Sequence, residues 1–430
     1  MKTVIKDTAY IPMDASAPRV SRGDIVIESG RILKAGGTYQ PAQSDRVIDG
    51  SRSLALPGLV NAHTHIAMSL LRNCADDLDL FTWLQDHIWP REAKLTEEDI
   101  RSGSLLALAE LIRSGVTTFA DMYFYQEPTI ESVLASGISA HIGATLMGGK
   151  EETDKRMKDH EALISSWHNA EDGRIRVDIA PHAVYTCSEY TLKAAAELAD
   201  EYRTALHIHL SETRKEQQDS LQTHGMTPLG YLHSLGFFKA HCYAAHGVYL
   251  SEEDISLCRE LQIPVVHNPT SNLKLANGTA PVAEFLRKGL TVALGTDGAS
   301  SNNNLNMIEE MHIASLIHKG AAEDPTVLPA YDVLYMATMG GAEALGRADE
   351  IGSIEPGKRA DIILFDIDSP HLVPLNNPVS AVVYSAQSSD IHTVISSGEV
   401  IMENRNILTL DEEKILADAR VSADRLAPVT

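Results

Sequence analysis

Short apolar runs alternate with amphipathic stretches through the middle of the chain. Eight runs stand out, at residues 59–63, 116–121, 138–146, 175–180, 205–210, 242–247, 263–267 and 291–296. The stretches between them carry helix punctuation. Thr96-Glu97-Glu98-Asp99 opens one, with Gly115 after it as a stop, and Ser251-Glu252-Glu253-Asp254 opens another. Eight strands separated by helices predict an α/β fold, a parallel (β/α)8 TIM-type barrel over residues 58–351. The competing open, doubly wound sheet would carry a Gly-rich phosphate turn after its first strand, and Asn61-Ala62-His63-Thr64-His65 is no such turn.

The two ends have a different texture. Residues 24–28 alternate, Ser29-Gly30 turns, residues 31–34 resume an extended pattern, and Val47-Ile48 precedes an Asp49-Gly50 turn. Near the other end, residues 361–365, 379–384 and 392–396 read as strands, Ser397-Gly398-Glu399 as a hairpin turn and 411–425 as a closing helix. Short lone strands cannot bury a face by themselves. Residues 1–57 and 352–430 are therefore expected to combine into one small composite β-sandwich domain beside the barrel.

Composition narrows the partners. Of 430 residues 44% are apolar, enough for a large core. Lys and Arg number 36 against 59 Asp and Glu, a net charge of −23, which disfavours nucleic acid as a partner. No run approaches the roughly 18 apolar residues of a membrane-spanning helix, so no membrane partner is expected. Cys74, Cys187, Cys242 and Cys258 form no C-x-x-C pair, which predicts free thiols and no cysteine zinc site. Lys6 and Asp7 stand where a signal peptide would be apolar, and the expected location is the cytoplasm.

The histidines carry the chemistry. His63 and His65 end the first run, and side chains at i and i+2 share one face of a strand. His209 ends the fifth run, His246 the sixth and Asp297 the eighth, so all five fall at the end of the barrel where active sites form. Nitrogen-rich ligands with one carboxylate suit zinc, and also iron or manganese. The fourth run contains no lysine to bridge two metals, which argues for one ion per subunit. His207 reads as a barrel-packing residue and His267 as a loop-positioning one. Glu212, three residues after His209, can turn over the mouth and protonate a substrate nitrogen, or it can be a solvated loop residue beside a helix start.

Pro57-Gly58-Leu59-Val60-Asn61-Ala62-His63-Thr64-His65, together with His209, His246 and the stretch from Thr296-Asp297-Gly298 to Asn302, resembles the motifs of the amidohydrolase superfamily. Within it, Leu71-Arg72-Asn73-Cys74-Ala75-Asp76-Asp77-Leu78, Trp83-Leu84, Pro90-Arg91-Glu92, Ala180-Pro181-His182, Cys187-Ser188 and His267-Asn268-Pro269 are similar to the 5′-methylthioadenosine/S-adenosylhomocysteine deaminases.

That resemblance implies a zinc-dependent aminohydrolase acting on a small-molecule nucleoside, with homo-oligomerisation compatible. It assigns His63, His65, His209 and Asp297 to the metal and His246 to the nucleophilic water. Asp297 would also carry a proton to departing ammonia, and Glu212 would protonate purine N1. Glu92 would hold the ribose hydroxyls and His182 the nucleoside near the ribose or N3, with Trp83 among the substrate-binding residues. Some members grip a homocysteine carboxylate with two arginines. Here Arg156 matches one loosely and Met147 stands near the other, which favours methylthioadenosine or adenosine over S-adenosylhomocysteine. Same-fold action on guanine, cytosine or an s-triazine, and a non-catalytic scaffold, are the alternatives.

Overall fold

The computed structural model describes residues 1–15 and 19–426. Five strands come first: β1 (Thr3–Tyr10), β2 (Ser21–Glu28), β3 (Arg31–Ala35), β4 (Arg46–Asp49) and β5 (Ser53–Pro57). Eight more follow in alternation with helices: β6 (Leu59–Thr64), β7 (Val116–Tyr123), β8 (Ser139–Leu146), β9 (Ile175–Pro181), β10 (Leu206–Leu210), β11 (Cys242–His246), β12 (Val265–His267) and β13 (Val292–Leu294). They pair in sequence order, each parallel to the next, as the apolar runs predict.

The seam between β6 and β13 is closed by other means. The Asp297 amide donates to the His63 carbonyl at 3.0 Å. The Asn61 amide bonds Thr296 twice, Nδ2 to Oγ1 at 2.7 Å and Oδ1 from the backbone N–H at 3.0 Å. Gly295 lies so close that a Cβ there would meet the His63 backbone at 2.8 Å, which leaves room only for glycine.

The chain ends meet in one mixed sheet. Strands β14 (Ile362–Asp366), β15 (Ile391–Ser396), β16 (Glu399–Glu403) and β17 (Asn406–Ile407) form an antiparallel run. β5 joins it to the first strands, lying antiparallel to β14 and parallel to β1. Period-two alternation sorts the side chains. Ile363 and Phe365 pack into the barrel core, while Ile362 and Leu364 join Ile5, Ile25 and Ile395 in a separate small core.

Residues 379–384 differ from the expected strand and lie in the helix Pro378–Tyr384. Asn377 caps it by accepting the Ser380 N–H at 3.2 Å, Pro378 occupies the first turn, and Val379, Val382 and Val383 bury one helical face. The closing helix, Glu412–Leu426, docks on helix Glu97–Arg113 through paired Arg113–Glu412 hydrogen bonds of 2.5 and 2.8 Å and an Arg425–Asp99 contact. All four cysteines are free thiols. No helix among the described residues is long and apolar enough to cross a membrane.

Candidate active site

The strand ends bring the predicted ligands together. His65 Nδ1 donates to the Met122 carbonyl at 2.5 Å and His209 Nδ1 to the His182 carbonyl at 2.7 Å. Each ring therefore keeps a lone pair on Nε2, and these two atoms are 3.3 Å apart. His63 Nδ1 meets His207 Nε2 at 2.8 Å, while His63 Nε2 is buried without a hydrogen-bond partner. Asp297 Oδ1 lies 3.1 Å from His65 Nε2 and 3.5 Å from His63 Nε2. Lone pairs and a carboxylate oxygen at such distances repel one another unless a cation lies among them. The donor set thus fits a divalent metal, and three imidazoles with one carboxylate suit zinc.

Electrostatics agrees. Burial pushes His63 down to about 4. Burial would also lower His65, but the hydrogen bond and charge of Asp297 outweigh it and lift that ring to about 9, so a proton on Nε2 can stand in beside Asp297 for the cation that would otherwise take its lone pair. Burial works against the Asp297 carboxylate, yet its contacts with His63 and His65 hold it well below the usual range. The cluster demands positive charge at its centre. The other Asp297 oxygen is clamped, since Ser271 Oγ donates to Oδ2 at 2.6 Å and Ser301 Oγ at 3.0 Å.

His246 and Glu212 sit beside this cradle. His246 Nδ1 donates to Asn272 Oδ1 at 2.8 Å, which leaves Nε2 free to accept, and its ring nitrogen lies within 4.8 Å of those of His63 and His209. Glu212 is buried rather than solvated, and Thr213 is the residue that caps the following helix. Asn277 Nδ2 donates to Glu212 Oε1 at 2.8 Å, and Oε2 faces His246 Nε2 at 3.8 Å. Burial raises the Glu212 carboxyl above its ordinary value and Asp297 adds to this, against the opposing pull of His246 and Asn277. A proton held there sits on Oε2, because Oε1 already accepts a hydrogen bond. Ser211, His246 and Asp297 all adopt left-handed backbone, with φ of 50°, 76° and 62°. This costs residues that carry a Cβ and concentrates strain at the strand ends that hold the site.

A cavity opens above the cradle. Its roof is the segment after β6. Leu80, Leu84, Ile88 and Glu92 stand four apart along a helical stretch with a π-type turn at Trp83–Ile88, so Glu92 ends the same face that the apolar side chains begin. Tyr123 donates to Glu92 Oε1 at 2.7 Å. His182 also lines the cavity, with Nδ1 against Thr186 Oγ1 at 2.9 Å, and burial pushes it down to about 3.

Of the residues singled out in the sequence, His65, Trp83, Glu92, Met147, His182, His209, Glu212, His246 and Asp297 line this cavity, and His63 lies beneath it. Arg156 does not line it; its guanidinium lies 5.6 Å from the Phe124 ring centroid. His207 packs as expected, its ring stacked on Tyr243 at 4.3 Å, but it also bonds His63. His267 stands apart from the cradle, 3.2 Å from His318. Tyr123 and Asn277 escaped the sequence reading, and Ser271 and Ser301 had no role assigned although Ser301 falls within the Thr296–Asn302 motif. Tyr123 also had a signal in its position at the end of the second barrel strand.

The sequence pattern of the Amidohydrolase family matches residues 54–401. The chain belongs to this family. This amidohydrolase is 48% identical over 431 residues to a 5-methylthioadenosine/S-adenosylhomocysteine deaminase of Thermoanaerobacter pseudethanolicus, covering 99% of each chain. It is 44% identical to a 5′-deoxyadenosine deaminase of Methanosarcina acetivorans, covering 98% of each. Among solved structures, an adenosine deaminase from Xanthomonas campestris with bound zinc superimposes with a TM-score of 0.93 at 34% identity, over 99% of this chain and 98% of that one.

Proposed function

We propose that the protein is a zinc-dependent hydrolytic deaminase of adenine nucleosides whose 5′ substituent is small and apolar. One observation carries the reading. Glu212 and the histidine–aspartate cradle share a pocket that ends at Glu92, and Leu80, Leu84, Ile88, Phe124 and Met147 line it without a lysine or arginine. Relatives named for 5′-methylthioadenosine and 5′-deoxyadenosine support the substrate class.

A divalent ion held by His63, His65, His209 and Asp297 would supply a water acidified towards a pKa of about 7. The chain's own groups do the rest. Glu212 Oε2 gives its proton to N1 as the water oxygen bonds to C6, while Asp297 takes the first water proton and His246 Nε2 orients the oxygen. Asp297 passes its proton to the amino group, the C6–N bond breaks and ammonia leaves. The remaining hydroxyl proton restores Glu212, giving the C6 carbonyl. Glu92, fixed by Tyr123, is set to receive ribose hydroxyls in charge-assisted hydrogen bonds.

The test is metal analysis followed by an ammonia-release panel of methylthioadenosine, 5′-deoxyadenosine, adenosine, S-adenosylhomocysteine, guanine, cytosine and a triazine. Zinc in stoichiometric amount and the highest kcat/KM on the first two compounds support the reading. Turnover confined to a free base or a triazine overturns it, because Glu92 then has no ribose to hold. Iron or manganese in place of zinc overturns the metal assignment. Protein without metal or ammonia release is a scaffold.

A further inference from the structure

Glu212 reaches the pocket through a turn that the sheet does not hold. β10 ends at Leu210, Ser211 swings into the left-handed region at φ 50°, and the next residue is lifted off the strand line. The two N–H groups of this turn go to one side chain. Glu216 Oε1 accepts from the Ser211 amide at 3.1 Å and Oε2 from the Glu212 amide at 2.7 Å. Glu216 is only 2% exposed, and it pairs with no lysine, arginine or histidine among the described residues. Its place is set in turn by Thr213, whose Oγ1 accepts the Glu216 N–H at 3.0 Å.

A carboxyl group buried without a cation is costly, and a helix start needs nothing of the kind, since Thr213 already caps it. Burial pushes Glu216 up to about 8, a measure of that cost. The expense falls on the two residues that aim Glu212. Asn277 fixes the far end of the same side chain, so the backbone and the carboxyl of Glu212 are each tied down separately.

We propose that Glu216 is a positioning residue for the reaction, locking the Ser211–Glu212 turn so that Glu212 Oε2 stays aimed at the reacting nitrogen. The proposal rests on the reading of Glu212 as the acid. Misplacement of a reacting group by about 1 Å is enough to cost on the order of a hundredfold in rate.

The test compares metal-loaded wild type, Glu216→Gln, Glu216→Ala, Glu212→Gln and the Glu212→Gln/Glu216→Gln double variant. For each, kcat and KM on methylthioadenosine, zinc content and thermal unfolding are measured. In Glu216→Ala, kcat is expected to fall about a hundredfold while KM stays within about threefold and zinc content is unchanged. Glu216→Gln, which keeps one acceptor oxygen and the side-chain volume, should be intermediate. In the Glu212→Gln background the same Gln substitution should remove nothing further, because there is no acid left to aim.

Wild-type kcat in folded, zinc-loaded Glu216 variants overturns the proposal. So does an equal fold-loss in both backgrounds, the mark of a merely structural residue. If Glu216→Ala does not fold, Glu216→Gln and the double variant decide by the same criteria. Full activity in Glu212→Gln overturns the reading of the acid itself, and the positioning role falls with it; an inactive Glu212→Gln beside an active Glu216→Gln overturns the positioning role alone.

Discussion

The Tyr123 hydroxyl donates to Glu92 Oε1 at 2.7 Å, joining the end of the second barrel strand to the last turn of the pocket roof. If Glu92 holds ribose, its removal costs about 1.5–3 kcal/mol for each charge-assisted hydrogen bond lost, or at least about tenfold in kcat/KM on nucleosides. Tyr123→Phe removes only the orienting bond and should cost about 0.5–1.5 kcal/mol. Steady-state kinetics on adenosine-type nucleosides and on free adenine check this. Equal losses on both would sink the ribose role.

Ser271 and Ser301 should act on the metal rather than on the substrate. Both donate to Asp297 Oδ2 and leave Oδ1 turned towards the histidines. Replacing both by alanine leaves the carboxylate held only by the Gly298 N–H on Oδ1 at 2.7 Å and so loosens its orientation; groups that orient metal ligands in this way are worth about 10–100-fold in affinity. Chelator competition reads this directly. Unchanged zinc affinity in the double alanine variant would refute the clamp.

Stability should carry a pH signature from Glu310. It is buried, accepts Asn302 Nδ2 at 2.7 Å and the Thr270 amide at 3.3 Å, and burial pushes it up to about 8 from an ordinary 4.5. The folded protein therefore keeps a proton that the unfolded chain releases above about 4.5. This contribution is fully present below about 4.5 and is lost as pH climbs through about 8. The Tm should fall between pH 6 and 8.5, and Glu310→Gln should flatten that slope. An identical slope in the variant would show that other groups set it.

Substrate choice at the 5′ end should depend on Met147 and not on Arg156. Met147 lines the cavity, whereas Arg156 rests against Phe124 outside its lining. Arg156→Ala should leave the ratio of methylthioadenosine to S-adenosylhomocysteine turnover within about twofold, since no contact of the charged partner is lost. Met147→Arg should shift that ratio about tenfold towards S-adenosylhomocysteine by offering its carboxylate a partner. Competition assays with both nucleosides measure each shift.

The barrel could be read because its strands are buried on both faces and appear as bare apolar runs. The histidine–aspartate cluster could be read because His63 and His65 share strand parity and His209, His246 and Asp297 stand at or just beyond strand ends. Residues 379–384 misled because Val-Ser-Ala-Val-Val-Tyr satisfies a strand pattern and a helical one alike; Asn377 and Pro378 tipped the choice. The roof was harder to read because a strict four-residue spacing drifts around an ideal α-helix, and the π-type turn at Trp83–Ile88 is what brings Leu80, Leu84, Ile88 and Glu92 onto one face. Thr213-x-x-Glu216 reads as an ordinary helix start, and nothing in it shows that the carboxyl reaches past the cap to the Ser211 and Glu212 amides.

The seam between β6 and β13 has a consequence for how the molecule is made. His63 lies in the first barrel strand and Asp297 just beyond the last, and the Asp297 amide bonds the His63 carbonyl at that junction. On the ribosome, His63 emerges long before its carboxylate partner. No nascent fragment that stops short of Asp297 holds the whole histidine–aspartate cluster, so a divalent ion would give such fragments little of the binding energy that would stabilise them. Capture of a divalent ion would thus reward only a completed ring, and metal retention would become a check on whether synthesis and folding have run to the end of the barrel.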